Sequence, residues 1–581
     1  MLPTYRKQLL CVAAVAVLLS TLFLQLLAVN LRTSMSWDEG HHLFDGYTVL
    51  KYHDYDLNPE VPPFAKVLAA APLLHMNLYE PVQLGRPSQT EAFLDGKDFL
   101  FKNDANQLLL RGRLAISLLT VLLALLVFLA GKELFDTTTG LLALAFLVFD
   151  PNLLAHGTLV TTDAAITFCV FAAVFAWYRY SSSPSIGRLV LVAVLSGLAL
   201  ATKFTGLFLI PIFFLLAVVE AVHNRSLKMF AKRCAALVAV FFATYGILWM
   251  SYGFRYAARP RGLALNPTLA DYLRDYAHVA SPAPLLAMAR WHIVPEAYIW
   301  GLANTKLTEQ RDVSYLFGVV HPHGTWLYFP AAILIKSTLP LLLLLVFTAV
   351  MSFRLRTLWL RWSMLLVPVV VFLGFAMHSD MNIGVRHILP IFPFLYIMGA
   401  SVLSSLIERD KRWVFAVMVL LVWQAVSSVR SFPGYMAYAN ELWGGPKNVH
   451  HYLGDSNSDW GQQLKSVSTY LKNRNVTECW MAYTAAGVVD ERYYGVPCRR
   501  LPTVVSLWWL HVPMEVPKEI DGPVLISDDE LEGLALPAGM PNPYAQFRSL
   551  KPSAIIDGGL FVYDGHFDVH LASEMVKSAS H

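Results

Sequence analysis

The chain has 581 residues, of which 56% are hydrophobic and only 15% charged, and its mean hydropathy is +0.48. This composition excludes an ordinary soluble globular protein and indicates one that is embedded in a membrane. The net charge of +4 is spread in short basic clusters between apolar runs, which argues against a nucleic-acid partner.

Eleven apolar segments approach the length of about 20 residues that a membrane-spanning helix needs. The predicted spans lie near 9–29, 113–131, 140–156, 162–178, 189–203, 206–222, 234–253, 326–350, 362–377, 387–407 and 413–430. The fold class predicted from this pattern is a polytopic α-helical membrane protein.

Basic residues are concentrated in alternate loops. The loops on the side of the N-terminus carry Arg6, Lys7, Lys132, Arg179, Arg188, Arg225, Lys228, Lys232, Arg233, Arg354, Arg356, Arg361, Arg409, Lys411 and Arg412. The short loops on the other side carry only Lys203 and Arg386. The positive-inside rule therefore predicts a cytoplasmic N-terminus, and an odd number of crossings places the C-terminal segment outside.

Three segments are predicted on the outer side: 30–112, 254–325 and 431–581. In the last, "PVLIS", "SAIIDGG" and "LFVYDG" are typical of short strands, and "DWGQQLKSVSTYLKNR" of an amphipathic helix. We therefore predict a membrane domain over 1–430 and an outer α/β domain over 431–581. Because the outer compartment is oxidising, Cys479 and Cys498 are candidates for a disulfide; the alternative is two unpaired buried thiols.

The first outer loop begins with "SWDEGHHLFDG", where the first apolar run ends. A carboxylate near the hydrocarbon costs roughly 2.5–3.5 kcal/mol on insertion scales, so Asp38 and Glu39 are candidates for a functional role. The alternative is that they form the solvated cap of an outer helix.

A second acidic group follows in "DPNLLAHGTLVTTDAAITF", where Asp163 lies in the first turn of a predicted helix. Its alternative role is to stabilise the N-terminus of its own helix. Asp150, which precedes a proline, is better explained as a helix stop.

Further polar residues occupy the same predicted level at other helix ends. They are Glu60, Lys203, Lys336, Asp380, Arg386 and His387. For Lys336 the alternative is a side chain that extends to the membrane surface. Acids and bases gathered in this way suit a reaction between a hydroxyl acceptor and an anionic leaving group, because a carboxylate takes the proton and cations stabilise a departing phosphate. No Walker loop, dinucleotide fingerprint or nucleophile elbow is present, so a nucleotide-linked donor is unsupported.

The stretch "DEGHHLFDGYTVLKYHDYDLNPEVPPFAKVL" resembles the first outer loop of the protein O-mannosyltransferases. That family has an acidic pair, a His two residues later, and an acidic residue followed by two prolines and a Lys. The matching residues are Asp38, Glu39, His41, Glu60, Pro62, Pro63 and Lys66. The segments "TKFTG", "NIGVRHILPIFPFL" and "DSNSDWGQQL" are similar to bacterial members of the same C-type glycosyltransferase (GT-C) superfamily, which includes aminoarabinose transferase-like enzymes.

This resemblance implies a GT-C fold and a membrane glycosyltransferase that uses a polyprenyl-phosphate-linked sugar outside the cytoplasm, with inversion at the anomeric carbon. Asp38 would be the catalytic base or the group that orients the acceptor, Glu39 beside it is a further catalytic candidate, and Asp163, which matches a second Asp of the family by position, would assist. The substrate-binding candidates are His41, Glu60, Lys66, Lys203, Arg386 and His387. Val61 replaces the His that the mannosyltransferases have before the prolines, and loop 254–325 is too short for their β-trefoil insertion, so a bacterial inner-membrane relative is favoured.

Several alternatives stay open on the sequence. Three acids and His41 could hold a divalent metal. The acceptor could be a protein, a lipid or a glycan, and membrane lipids surround the chain in any case. The competing function is a transporter or lipid-carrier flippase, in which the intramembrane charges would line a path.

Overall fold

The computed structural model describes residues 2–260, 263–311, 313–352, 359–537 and 539–579. Arg354 and Arg356, predicted on the N-terminal side of the membrane, lie outside these residues. The helices up to residue 251 are α1 (Leu2–Arg32), α2 (Glu39–Tyr52), α3 (Phe64–Ala70), α4 (Ser88–Phe101), α5 (Ala105–Leu134), α6 (Thr137–Val148), α7 (Pro151–His156), α8 (Thr162–Ser182), α9 (Ile186–Leu200), α10 (Leu209–His223) and α11 (Leu227–Ser251).

The middle of the chain holds three short helices, one hairpin and the remaining membrane helices. They are α12 (Leu269–Tyr276), α13 (Ala283–Arg290), α14 (Glu296–Arg311), β1 (Ser314–Leu316), β2 (Val319–His321), α15 (Tyr328–Lys336), α16 (Leu339–Ser352), α17 (Trp359–His378), α18 (Phe392–Arg409) and α19 (Trp413–Arg430). A 3-10 segment, Val385–Ile391, leads directly into α18.

The helices coincide with the predicted spans. In the described part of the chain, eight helical stretches are long and apolar enough to cross a membrane. The pair α15 and α16 is a ninth candidate, bent by 119° at a short break, and α6 and α9 are shorter apolar helices at the two remaining predicted spans. The predicted polytopic helical fold is confirmed.

Several membrane helices start at polar caps that the sequence provides. The Asp104 side chain accepts a hydrogen bond from the amide of Gln107, and that of Asp136 accepts one from Thr139. Asp150 caps α7 by accepting from the amides of Asn152 and Leu153. Such caps satisfy amides that a helix start leaves unpaired. Asp150 is therefore a structural residue, as its position before a proline predicts.

The C-terminal segment forms a small α/β unit. Its elements are α20 (Leu464–Asn473), β3 (Trp480–Ala482), β4 (Arg499–Arg500), β5 (Glu519–Ser527), α21 (Asp528–Glu532), β6 (Ala554–Ile556), β7 (Leu560–Asp568) and α22 (His570–Ala579). The sheet order is β4-β3-β5-β7-β6, with β3 parallel to β4 and β5, and β7 antiparallel to β5 and β6. The three predicted strands are present, and Cys479 and Cys498 form the predicted disulfide.

The segment 431–463 contains four short 3-10 helices joined by turns and connects this unit to the membrane helices. Lys336 Nζ donates hydrogen bonds of 2.6 Å to the carbonyls of Met436 and Asn457, and the Lys336 side chain is buried. The alternative in which Lys336 extends to the membrane surface is therefore wrong. Because a buried polar group is costly unless it is hydrogen-bonded, these two contacts fix the segment against α15.

Candidate active site

A cavity of about 860 Å³ lies where the first outer loop, the ends of several membrane helices and the C-terminal segment meet. Its volume is within the usual range of small-molecule sites. Apolar lining comes from Phe208, Phe329, Phe372, Phe375 and Ala376. Polar lining includes Asp38, His41, His42, Glu60, Lys203, Arg386, His387, Asp455, Asp529 and Glu530.

Asp38 faces this cavity from the residue that precedes α2. Its side chain makes no capping hydrogen bond to α2 and is 21% exposed, so the alternative role as a helix cap is wrong. Arg386 Nη1 lies 3.7 Å from Asp38 Oδ2. Burial, with the negative charges of Glu60, Asp163 and Asp455, raises the pKa of Asp38 to about 7 although Arg386 opposes the shift.

Asp163 lies in the first turn of α8 and is completely buried beneath the cavity surface. Lys203 Nζ donates a hydrogen bond of 2.6 Å to Asp163 Oδ1, and Arg386 Nη1 lies 3.7 Å from Oδ2. The same Arg386 nitrogen therefore lies between the carboxylates of Asp38 and Asp163. Two turns more than a hundred residues apart in sequence meet at this point.

Arg386 is fixed in place by the C-terminal segment. Its Nε donates to Ser456 Oγ at 2.9 Å, and its guanidinium lies 4.0 Å from the centre of the Trp460 ring. Stacking on an aromatic face orients a guanidinium while leaving its positive charge intact. Arg386 is thus held in position by both the membrane domain and the C-terminal segment.

Glu60, His41 and His387 also reach the cavity, as their predicted role requires. Burial raises the pKa of Glu60 against the opposing charges of Lys66 and Arg386. Burial, together with the neighbouring His42 and Lys66, holds the pKa of His41 well below its usual value, so this imidazole is neutral. His41 Nδ1 and His387 Nε2 are buried without a hydrogen-bond partner among the described residues.

Glu39 does not face the cavity, although it adjoins Asp38 in sequence. Arg113 binds both its oxygens, with Nε to Oε1 at 2.8 Å and Nη2 to Oε2 at 2.5 Å, and the amides of Ser36 and Val160 donate to them as well. Burial would raise the pKa of Glu39, but the Arg113 charge and hydrogen bonds lower it overall. The geometry gives Glu39 a positioning role in place of the catalytic one that its sequence position suggests.

Lys66 is likewise turned away from the cavity. Its Nζ forms an ion pair with Asp45 and donates to the carbonyls of Asn58 at 2.7 Å and Val61 at 2.8 Å. With three partners and 3% of its side chain exposed, it has no donor directed at a substrate. Lys66 instead shapes the loop that carries Glu60.

The C-terminal segment contributes cavity residues to which the sequence pattern assigns no role. Gly454, Asp455, Trp460, Thr484, Asp529 and Glu530 all line the cavity. The one signal in the sequence is the similarity of "DSNSDWGQQL" to bacterial members of the superfamily, which marks the stretch without indicating its position.

The donor set does not fit the divalent metal that the sequence leaves open. The oxygens of Glu39 are bound by Arg113, and Asp38 faces a guanidinium. Within the described ranges, no group of three or more His, Cys, Asp or Glu residues could hold a metal ion.

Comparison with known proteins extends the resemblance to a second part of the chain. Residues 105–249, about a quarter of the sequence, match the family described as dolichyl-phosphate-mannose-protein mannosyltransferase. This segment runs from α5 to α11 and contains Asp163 and Lys203. The resemblance to the protein O-mannosyltransferases is confirmed. No curated protein matches the sequence significantly.

Solved structures that are similar over most of the chain include ArnT and AglB. ArnT from Cupriavidus metallidurans in the apo state is 15% identical, with 96% of this chain and 98% of that chain covered and a TM-score of 0.48. The oligosaccharyltransferase AglB from Archaeoglobus fulgidus, in complex with an inhibitory peptide and a dolichol-phosphate, is 11% identical, with 90% and 70% covered and a TM-score of 0.47.

Proposed function

We propose that this multi-pass membrane protein is a glycosyltransferase that moves a sugar from a polyprenyl-phosphate-linked donor to a hydroxyl acceptor, with inversion at the anomeric carbon. The observation that carries the proposal is the position of Arg386, which lines the cavity, between Asp38 on the cavity surface and the buried Asp163. The match of residues 105–249 to a family of lipid-phosphate-dependent mannosyltransferases supports it.

The two ends of a lipid-linked donor find different surroundings. Phe208, Phe372 and Phe375, from the helices on the membrane side, give an apolar surface that suits a prenyl chain. Lys203 and Arg386 place positive charge beside it, where the donor phosphate would lie. The ion pairs to Asp163 hold both cations in position before the donor arrives, so little reorganisation is required on binding.

In the transfer step, Asp38 removes the proton from the acceptor hydroxyl as its oxygen forms a bond to the anomeric carbon. The bond between that carbon and the phosphate oxygen breaks, and the electron pair leaves with polyprenyl phosphate, stabilised by Arg386 and Lys203. A carboxyl pKa of about 7 suits a general base at neutral pH. Because the acceptor attacks from the face opposite the phosphate, the configuration inverts.

Other features of the proposal rest on the sequence. The transferred group is a hexosyl or pentosyl unit, and the acceptor hydroxyl belongs to a protein, a lipid or a glycan. The distribution of basic residues supports an N-terminus in the cytoplasm and a C-terminus in the periplasm of a bacterial inner membrane. The charged groups of the site gather at helix ends, whereas a transporter places them along a path near the midplane.

Purified full-length protein incubated with a polyprenyl-phosphate sugar and a panel of hydroxyl acceptors tests the proposal. We expect polyprenyl phosphate to be released in equal amount to the glycosylated product, as measured by mass spectrometry. A protein that moves the intact donor across vesicle membranes without cleaving it would contradict the proposal and favour a flippase.

A further inference from the structure

The side of the cavity that the C-terminal segment forms is acidic. We call it the acidic roof and define it by Asp455, Asp529 and Glu530, all of which line the cavity. Asp529 Oδ1 accepts a hydrogen bond of 2.8 Å from the amide of Asp455, which fixes the positions of these two residues relative to each other. Glu530 follows Asp529 in α21.

Glu530 is the most informative of the three. It is only 7% exposed, yet it lines the cavity, and its carboxylate has no hydrogen-bond or ion-pair partner among the described residues. A buried carboxylate without a partner is costly, and a structural acid of this kind is normally paired. Its position therefore suits a ligand that brings the missing positive charge.

Arg311 also lines the cavity, but no Lys or Arg in the described part of the chain forms an ion pair with Glu530. Neither Asp529 nor Glu530 forms an ion pair with a described Lys or Arg residue. Arg548 lies in the same unit, but it pairs with Glu532 at 3.5 Å and donates to the carbonyl of Leu531 at 2.8 Å. Arg386 pairs with Asp38 and Asp163, and its positive charge also acts on Asp455, so Asp529 and Glu530 are the roof carboxylates left without a cation among the described residues.

A metal ion is a poor candidate for the missing charge. No group of three or more ligands among the residues that the structure describes is arranged to hold one. An ammonium group differs, because it needs only two or three acceptor oxygens on one side and keeps the rest of its molecule in the cavity.

We propose that the acidic roof binds a primary ammonium group carried by the hydroxyl acceptor. This inference rests on the proposed function, because it assigns the ammonium group to the acceptor of the transfer reaction. The apolar and cationic parts of the cavity, contributed by the membrane helices, are accounted for by the prenyl chain and phosphate of the donor. The roof belongs to the C-terminal segment and is not used by the donor, so it remains for the second substrate, the acceptor.

Ethanolamine and N-acetylethanolamine are suitable probes, because each carries one hydroxyl and only the first carries a positive charge. We would measure their binding to the full-length protein in nanodiscs, without donor, by saturation-transfer NMR and calorimetry at pH 7.5. We expect ethanolamine to bind at least about tenfold more tightly, as charge-assisted hydrogen bonds provide. Equal binding of the two probes would overturn the proposal.

Glu530→Gln keeps the shape of the side chain and removes its charge. Burial and the charge of Asp459 raise the pKa of Glu530 to about 8, so a neutral side chain here is one that the free protein already tolerates. We expect this variant, and separately Asp529→Asn, to lower ethanolamine affinity about tenfold. Glu519→Gln, an exposed acid on the same unit with 69% of its side chain accessible, is the matched control and should bind as the parent does. Unchanged affinity in both roof variants would overturn the proposal.

Two further measurements distinguish an acceptor site from a purely structural roof and from a donor site. Ethanolamine binding should release protons from the roof, seen as a difference in apparent binding heat between buffers of different ionisation enthalpy, and a purely structural Glu530 would show none. Affinity for polyprenyl phosphate should be unchanged in Glu530→Gln, and a loss there would contradict the assignment to the acceptor. Asp38→Asn should lose transfer but still bind ethanolamine, so failure of the roof and failure of the transferase proposal remain distinguishable.

Discussion

The backbone amide of Trp37 donates a hydrogen bond of 2.8 Å to the carbonyl of Trp460. Trp37 precedes Asp38 in the sequence, and the ring of Trp460 contacts the guanidinium of Arg386. Ser34 reinforces the junction, because its amide donates to Gln462 and its hydroxyl to Gly461, each at 3.0 Å. The C-terminal segment is therefore a wall of the cavity, and a chain shortened before it would lack part of the site.

The cations of the cavity should determine donor affinity. Lys203→Met removes a charged hydrogen-bond donor worth roughly 1.5–3 kcal/mol, so we expect the KM for a polyprenyl-phosphate sugar to rise about tenfold or more. Steady-state kinetics with varied donor checks this. Lys51→Met, which removes a Lys that pairs with Glu80 away from the cavity, is the control and should leave the donor KM near the parental value. A donor KM unchanged in Lys203→Met would show that the phosphate binds elsewhere.

The pH dependence of transfer should report Asp38. Because its pKa is raised to about 7 and it must be ionised to accept a proton, kcat/KM should fall as the pH decreases through about 7 and level off above it. The charge of Glu60 contributes to this raised pKa. Glu60→Gln should therefore move the acidic limb of the profile to lower pH. A limb that stays in place, or moves upward, would contradict the assignment.

Glu39 and Arg113 should affect stability more than chemistry. Removing one partner of a buried ion pair typically costs about 3–5 kcal/mol, because the other charge is left buried and unpaired. We expect Arg113→Met to lower the thermal unfolding midpoint strongly. The double variant Arg113→Met with Glu39→Gln should recover part of that loss, as a thermal-shift measurement in detergent would show. A double variant less stable than Arg113→Met would argue against the pair.

Transfer should not require a divalent metal, because the carboxylates near the reaction centre are engaged by Arg386, Lys203 and Arg113. After exhaustive dialysis against EDTA, we expect the rate of product formation to remain within about twofold of its starting value. Activity lost on chelation and restored by Mg²⁺ or Mn²⁺ would contradict this expectation.

The sequence was sufficient to predict the membrane helices, because a long apolar run is too hydrophobic to be exposed to water and must form a helix to satisfy its backbone in a membrane. It also indicated which residues lie near helix ends, and so it identified Asp38, Asp163, Lys203 and Arg386. Two predicted site residues do not face the cavity: Glu39 was predicted because it is next to Asp38, and Lys66 because it matches the family pattern. Successive helical residues point about 100° apart, so Glu39 at the start of α2 faces Arg113 while Asp38 faces the cavity. Lys66 satisfies its charge with nearby carbonyls and Asp45.

The acidic roof could not be predicted in the same way. Asp455, Asp529 and Glu530 are separated from Asp38 by more than 400 residues, and hydrophobic periodicity says which elements form without saying which of them pack together. Their meeting depends on contacts such as Lys336 with the carbonyls of Met436 and Asn457.

Single-turnover transfer by Asp38→Asn tests the central claim most directly, because this substitution removes the proposed base and its charge while keeping the shape of the side chain. With saturating polyprenyl-phosphate sugar and acceptor, we expect the rate of polyprenyl phosphate release to fall by about 10²–10⁴-fold, while affinity for polyprenyl phosphate is retained. Asp98→Asn, an exposed acid of the same outer region paired with Lys102, should react at the parental rate. Release at the parental rate by Asp38→Asn would show that the Asp38 carboxylate does not perform the chemistry.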